Sequence, residues 1–139
     1  MPPERRSPSL PSDWLRRARS DLALAKAPLP TDVLYEDLCF HAQQAAEKAI
    51  KAVYRARRYG FRYTHDLSEL LDELARHGVF VPEDIRETVT LTDFAWEARY
   101  PGPAELVTED EYRRAVTLAE KVVEWAAQLV QGDPHDRHG

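Results

Sequence analysis

Asparagine is missing altogether, cysteine and methionine occur once each, and only five glycines are spread over 139 residues. The lone cysteine, Cys39, excludes an intramolecular disulfide and fits a reducing compartment. The glycines never cluster, so the chain has neither the P-loop nor the dinucleotide-binding turn that cradles phosphate on backbone N–H groups. No apolar run approaches the roughly 18 residues that a membrane span requires. The N-terminal MPPERRSPSLPS carries positive charge without an apolar stretch, so no secretory signal is expected and a cytoplasmic location is. The histidines and the cysteine form no metal-ligand constellation, and no serine or cysteine stands with the partners of a nucleophile. Neither a metal nor a cofactor is therefore expected. A formal net charge of −5 rules out a basic coat over the whole surface, though not a local basic patch.

What is present is the balance of a soluble globular chain, with 43% hydrophobic and 31% charged residues. At this length, folding can bury roughly two thirds of the unfolded chain's surface, enough for one self-sufficient core. Arginine outnumbers lysine fifteen to four. We read this bias as genomic composition first and heat adaptation second, because the broad hyperthermophile signal is Lys and Glu rather than Arg.

Residues 1–11, with four prolines and no apolar period, read as a disordered lead, and residues 131–139 as a disordered tail. The domain between them, residues 12–130, carries five stretches of helical periodicity and no convincing strand. The first runs from about Ser12, its expected cap, to Ala27, with Trp14, Ala18, Leu22 and Ala25 on one face and Pro28 and Pro30 beyond. The second runs from about Asp32 to Tyr59, with Thr31 as cap and a stripe of Leu34, Leu38, Ala42, Ala45, Ala49 and Val53. Gly60 is the expected left-handed stop. The third follows Thr64, shows Leu67, Leu70, Leu71 and Leu74, and ends at Gly78. The fourth has Pro82 in its first turn and Ile85, Val89, Thr92 and Trp96 on one side. The fifth opens on Thr108 and Glu111, spaced as a capping box. Short connections between such helices imply an all-α, up-and-down antiparallel bundle of about five helices.

The string Cys39-Phe40-His41-Ala42-Gln43-Gln44-Ala45-Ala46-Glu47-Lys48-Ala49-Ile50-Lys51-Ala52, then Thr64-His65-Asp66-Leu67, then Arg99-Tyr100-Pro101, resembles the HEPN family in order and spacing. The resemblance covers about residues 12–130. It implies a helical bundle that pairs into a homodimer, often beside a minimal nucleotidyltransferase in a toxin–antitoxin-like module. Some HEPN proteins are metal-independent endoribonucleases that use an Arg, four to six intervening residues and a His, with two copies brought together by the dimer. Arg58 and His65 are the pair within that spacing here.

The chemistry suits those residue types. In metal-free RNA cleavage the 2′-OH attacks the adjacent phosphate, an imidazole passes protons, and a guanidinium stabilises the phosphorane. Gly60 lies between the two, so they are expected to flank a loop rather than share a helix face. The plainer alternative is that His65 helps cap the third helix and Arg58 neutralises the end of the second. Lys48, Lys51, Arg55, Arg57, Arg58 and Arg62 form a basic run. It reads either as a phosphate contact for RNA or nucleotide, or as a solvated face complementing the helix dipole. His41 is at the edge of the apolar stripe and reads as a hydrogen-bonded border residue or as part of a polar seam. Arg99 and Tyr100 form either an anchor or a second wall of the same pocket. The rival to the ribonuclease is thus a catalytically inert nucleotide- or partner-binding module.

Overall fold

The computed structural model describes residues 10–28, 32–61, 63–95 and 107–132. Thr31, Arg62, Trp96, Arg99, Tyr100, His135 and His138, and most of the two expected disordered ends, lie outside the described residues. The elements are α1 (Pro11–Ala25), α2 (Tyr35–Ala56), α3 (Leu67–Arg76), a single turn α4 (Glu83–Arg86) running into a 3-10 helix (Glu87–Phe94), and α5 (Glu109–Gln131). The chain forms an all-α bundle, with no strand among the described residues. None of these helices is long and apolar enough to cross a membrane.

The centre is α2, packed against α1 and α5 along its length, with α3 and the 3-10 helix beside it. Alanine makes this possible. Ala42, Ala45, Ala46, Ala49 and Ala52 are fully buried, and their small side chains let neighbouring helix axes approach towards the lower end of the usual range of about 8–10 Å. The larger core side chains come from around them: Ile50, Val53 and Tyr54 of α2, Leu67, Leu71 and Leu74 of α3, and Val122 of α5.

Several helix ends differ from expectation. Ser12 does not cap α1, because Pro11 occupies the first turn and Leu10 is the N-cap, with no side-chain bond. Pro fits there because the N–H it lacks would have had no helical acceptor. Helix α2 starts at Tyr35, so Leu34 is its extended N-cap residue and 48% exposed, not the first member of the stripe. Thr108 does cap α5. Its hydroxyl accepts from Glu111 N–H while the Glu111 carboxylate accepts from Thr108 N–H.

Gly60 is not the left-handed stop of α2. That conformation belongs to Arg58, with φ of 61°. The bonds around it make a complete Schellman motif: Tyr59 N–H donates to the Tyr54 carbonyl (2.9 Å) and Arg58 N–H to that of Arg55 (3.2 Å). Helix α3 ends in the same way around Gly78, with φ of 96°. An arginine therefore stands where glycine is the usual occupant. Left-handed backbone costs a residue with a Cβ roughly 1–2 kcal/mol, offset in part by glycine's freedom when unfolded. Arg58→Gly should thus raise stability by about 0.5–1 kcal/mol. A urea midpoint unchanged or lowered by that substitution would contradict this account.

The fourth helix departs furthest. Only one α-turn forms before the chain tightens, and the buried residues Ile85, Thr88 and Leu91 follow a period of three rather than the expected Ile85, Val89, Thr92. Threonine hydroxyls accompany the change. Thr88 Oγ1 donates to the Ile85 carbonyl (2.5 Å) and Thr90 Oγ1 to that of Glu87 (3.1 Å), each three residues back. Thr92 Oγ1 faces α3 and accepts from Leu67 N–H (3.1 Å).

Candidate functional site

Along α2, His41, Gln44, Lys48, Lys51 and Arg55 recur at alternating spacings of three and four, so they share one stripe of a helix otherwise largely buried. Two acids meet that stripe. Asp21, from α1, accepts from His41 Nδ1 (3.0 Å) and Lys48 Nζ (2.6 Å). Glu47, from α2 itself, accepts from His65 Nδ1 at one oxygen (2.8 Å) and from Lys51 Nζ at the other (2.7 Å).

The Glu47 group is the more buried. Gln43, Glu47 and Lys51 are all inside the protein, on successive turns of one helix. Gln43 Nε2 donates to Glu47 Oε1 (3.0 Å) and to the His65 carbonyl (3.3 Å), and Gln43 Oε1 accepts from Gln44 (2.7 Å). Burial would push the Glu47 carboxyl up. The hydrogen bonds from Lys51, His65 and Gln43 and the Lys51 charge outweigh it, and the carboxyl lies below its ordinary value. The Lys51 ammonium also faces the rings of Phe61 (5.3 Å) and Trp14 (5.8 Å), and the Arg55 guanidinium lies 4.8 Å from Phe61. Phe61 in turn packs edge-on to Trp14 and Tyr54. The loop after α2 is therefore tied down by aromatic packing and by His65.

His65 does not cap α3. Asp66 does, accepting from Ser68 and Glu69 N–H, while Thr64 Oγ1 accepts from Asp66 N–H. The imidazole turns back towards α2 instead. Nδ1 faces the Glu47 carboxylate, which fixes the orientation of the ring and turns Nε2 away from Glu47. The side chain is 25% exposed, so the ring is both oriented by a buried acid and reached by solvent.

Arg58 is placed elsewhere. It follows Glu47 by eleven positions, roughly 16 Å of helical rise. It is exposed and makes no hydrogen bond, ion pair or ring contact with His65. Within this chain the expected Arg–His pair flanks the loop without meeting across it. His41 is the hydrogen-bonded border residue, held by Asp21. Lys48 and Lys51 are each paired with an acid. Arg55 and Arg58 are exposed at the end of α2 and pair with no carboxylate among the described residues. Arg62, Arg99 and Tyr100 lie outside the described residues. Among the described residues, no group of three or more His, Cys, Asp or Glu side chains could hold a metal ion.

Two residues that organise the site, Asp21 and Glu47, are absent from the sequence-based candidates. The signal for each is an acid on an apolar face: Asp21 in register with Trp14, Ala18 and Ala25, and Glu47 with Gln43, Ile50 and Tyr54. A buried acid requires a partner.

Two His–acid–Lys groups thus meet along the long central helix of an all-α bundle, one completed by Asp21 of α1 and the other by His65 of the following loop. The family model of the HEPN domain matches residues 11–129, and the chain belongs to that family. Among solved structures, it is 33% identical to TT1696 from Thermus thermophilus, with a TM-score of 0.73 over 86% of this chain and 97% of that one. It is 27% identical to ST0689, an archaeal HEPN homologue, with a TM-score of 0.70 over 87% of this chain and 98% of that one. A comparison with curated proteins finds no match.

Proposed function

We propose that this HEPN protein is a binding module that holds a phosphate-bearing ligand, RNA or nucleotide, at the C-terminal end of α2. It works as a homodimer beside a minimal nucleotidyltransferase, in a toxin–antitoxin-like pair. The pairing and the partner follow from the family resemblance. The observation that carries the binding reading is charge compensation. Lys48 and Lys51 answer Asp21 and Glu47, whereas the exposed Arg55 and Arg58 answer no carboxylate among the described residues. Guanidinium groups are suited to phosphate, which they can grip through two parallel hydrogen bonds.

The test is fluorescence anisotropy of labelled single-stranded RNA in EDTA across a salt series, with a gel of the same samples. Binding that weakens steeply with salt, on RNA that stays intact, is the expected result. Absence of binding to RNA and to nucleotide at low salt would remove the proposal.

One observation favours a second reading, metal-independent RNA cleavage: the His65–Glu47 pair. The His65 imidazole can take the 2′-OH proton as that oxygen attacks the phosphorus and the P–O5′ bond breaks, leaving a 2′,3′-cyclic phosphate and a 5′-oxygen that takes a proton from the imidazolium or from water. Arg58 of a second protomer would then have to supply the phosphate contact. Cleavage in EDTA that is abolished by His65→Ala and by Arg58→Ala would replace the binding reading with this one.

A further inference from the structure

Tyr63 stands out among the tyrosines. Tyr35, Tyr54, Tyr59 and Tyr112 are buried or half-buried, whereas Tyr63 is 89% exposed. It sits in the loop that leads to His65, and the two rings meet edge-on, with centroids 5.5 Å apart and planes at 71°. At this exposure most of the ring surface is open to a ligand. Tyr63 and His65 line a cleft of 330 Å³ completed by Thr64, Asp66, Thr92 and Ala95. That volume falls at the small end of ligand sites, about 300–1,000 Å³.

The polar groups of the cleft narrow what can enter. Asp66 uses Oδ1 to cap α3, and its second carboxylate oxygen accepts no hydrogen bond among the described residues. Thr92 Oγ1 accepts from Leu67 N–H, which leaves its hydroxyl proton to donate. A carboxylate on the wall repels phosphate but accepts readily from an amine or a hydroxyl. The cationic side chains Arg55 and Arg58 belong to the end of α2, not to this cleft. A group suited to this cleft is a flat, uncharged ring bearing hydrogen-bond donors, with any phosphate it carries held outside the cleft.

We infer that Tyr63 is a stacking platform for an unpaired nucleobase, with Asp66 accepting from its exocyclic amine or from a ribose hydroxyl, and with the phosphate outside the cleft. This rests on the phosphate-binding reading and specifies the ligand chemistry it recognises. Every base offers a π-face, so stacking of this kind is tolerant of sequence.

The test measures binding of short fluorescent single-stranded RNA to the full chain, alongside an abasic strand of equal length. Tyr63→Ala should weaken binding of the base-bearing strand about tenfold and leave the abasic strand unchanged, while Tyr63→Phe retains affinity. Because the side chain is exposed, thermal unfolding should be the same in all three proteins. Competition by AMP separates the two sources of such a base. AMP that displaces RNA from the wild type but not from Tyr63→Ala points to a mononucleotide, and failure to compete while Tyr63→Ala weakens RNA points to a base within a strand. Equal affinity for base-bearing and abasic strands, unmoved by Tyr63→Ala, would overturn the stacking inference and leave the phosphate site standing. No binding of either strand or of AMP would overturn both.

Discussion

Glu47→Ala will cost the domain about 3–5 kcal/mol of stability, the usual penalty for breaking a buried ion pair on one side. The side chains of Glu47 and Lys51 are only 5% and 7% exposed, so the pair is beyond the solvent screening that makes surface pairs weak. Alanine at position 47 strands the Lys51 ammonium between Trp14 and Phe61. It also removes the acceptor for His65 Nδ1 and one of two acceptors for Gln43 Nε2. For a domain of this size that loss lowers the melting temperature by on the order of 10 °C. Removing both charges is different in kind. Apolar replacements at both positions, Glu47→Leu with Lys51→Met, should recover most of the loss, because neither partner is left buried alone. An alanine variant within about 1 kcal/mol of wild type in urea would show that Glu47 is not the keystone of this region.

The same carboxylate gives the protein an acid limit. A carboxyl held below its ordinary value in the folded state adds stability that is complete above its unfolded value, about 4.3, and that fades as pH falls through the folded value. Wild type should therefore lose stability as the medium is acidified below about pH 4. The part of that slope due to Glu47 should be missing from Glu47→Ala. The two stability curves should converge in acid and separate above about pH 5.

How much of this was legible in the sequence depended on how local the deciding interaction is. The Thr108–Glu111 box lies within four residues, and it forms as read. The leucines of α3 repeat at helical spacing and all face the core, because nothing competes with burial there. The fourth helix departs from the expected period because its apolar residues permit two. Ile85, Val89 and Thr92 fit a helical repeat of about 3.6. Ile85, Thr88 and Leu91 fit the tighter repeat of about three, which prevailed in a stretch where threonine hydroxyls bond three residues back. Residue preference alone points to Gly60 as the stop of α2. The true stop, Arg58, is set by where the aromatic loop must turn to seat Phe61 against Trp14 and Tyr54, a tertiary demand that overrides propensity. Composition and spacing single out His41, Lys48 and Lys51, but not the acids they meet, which come from α1 and from a neighbouring turn of α2. The Arg58–His65 pair matched in spacing along the chain, yet a helix terminus and its following loop carry the two side chains to different places.

That separation decides what the cationic end of α2 should do when its charge is reversed. Single-stranded binding falls with salt by about 0.7 of a log unit per phosphate contact for each tenfold rise in salt. Two contacts, from Arg55 and Arg58, therefore account for a slope of about 1.4 and for roughly a 25-fold difference in affinity between 0.1 M and 1 M salt. Replacing both by glutamate removes those contacts and adds repulsion, so affinity at 0.1 M salt should fall by at least about 25-fold and the slope should flatten by about 1.4. Both side chains are exposed and neither supports a buried acid, so stability should fall by only about 1–2 kcal/mol, through the lost Arg55–Phe61 contact and the acids placed at a helix C-terminus. Lys48 and Lys51 supply the contrast. Because each is already paired with an acid, Lys48→Gln should leave the salt slope nearly unchanged while costing some stability through Asp21. If Lys48→Gln flattens the slope and the double arginine reversal does not, phosphate is held by the middle of α2. The compensated lysines would then have to exchange carboxylate for phosphate on binding, and the site would be built by displacement rather than standing ready.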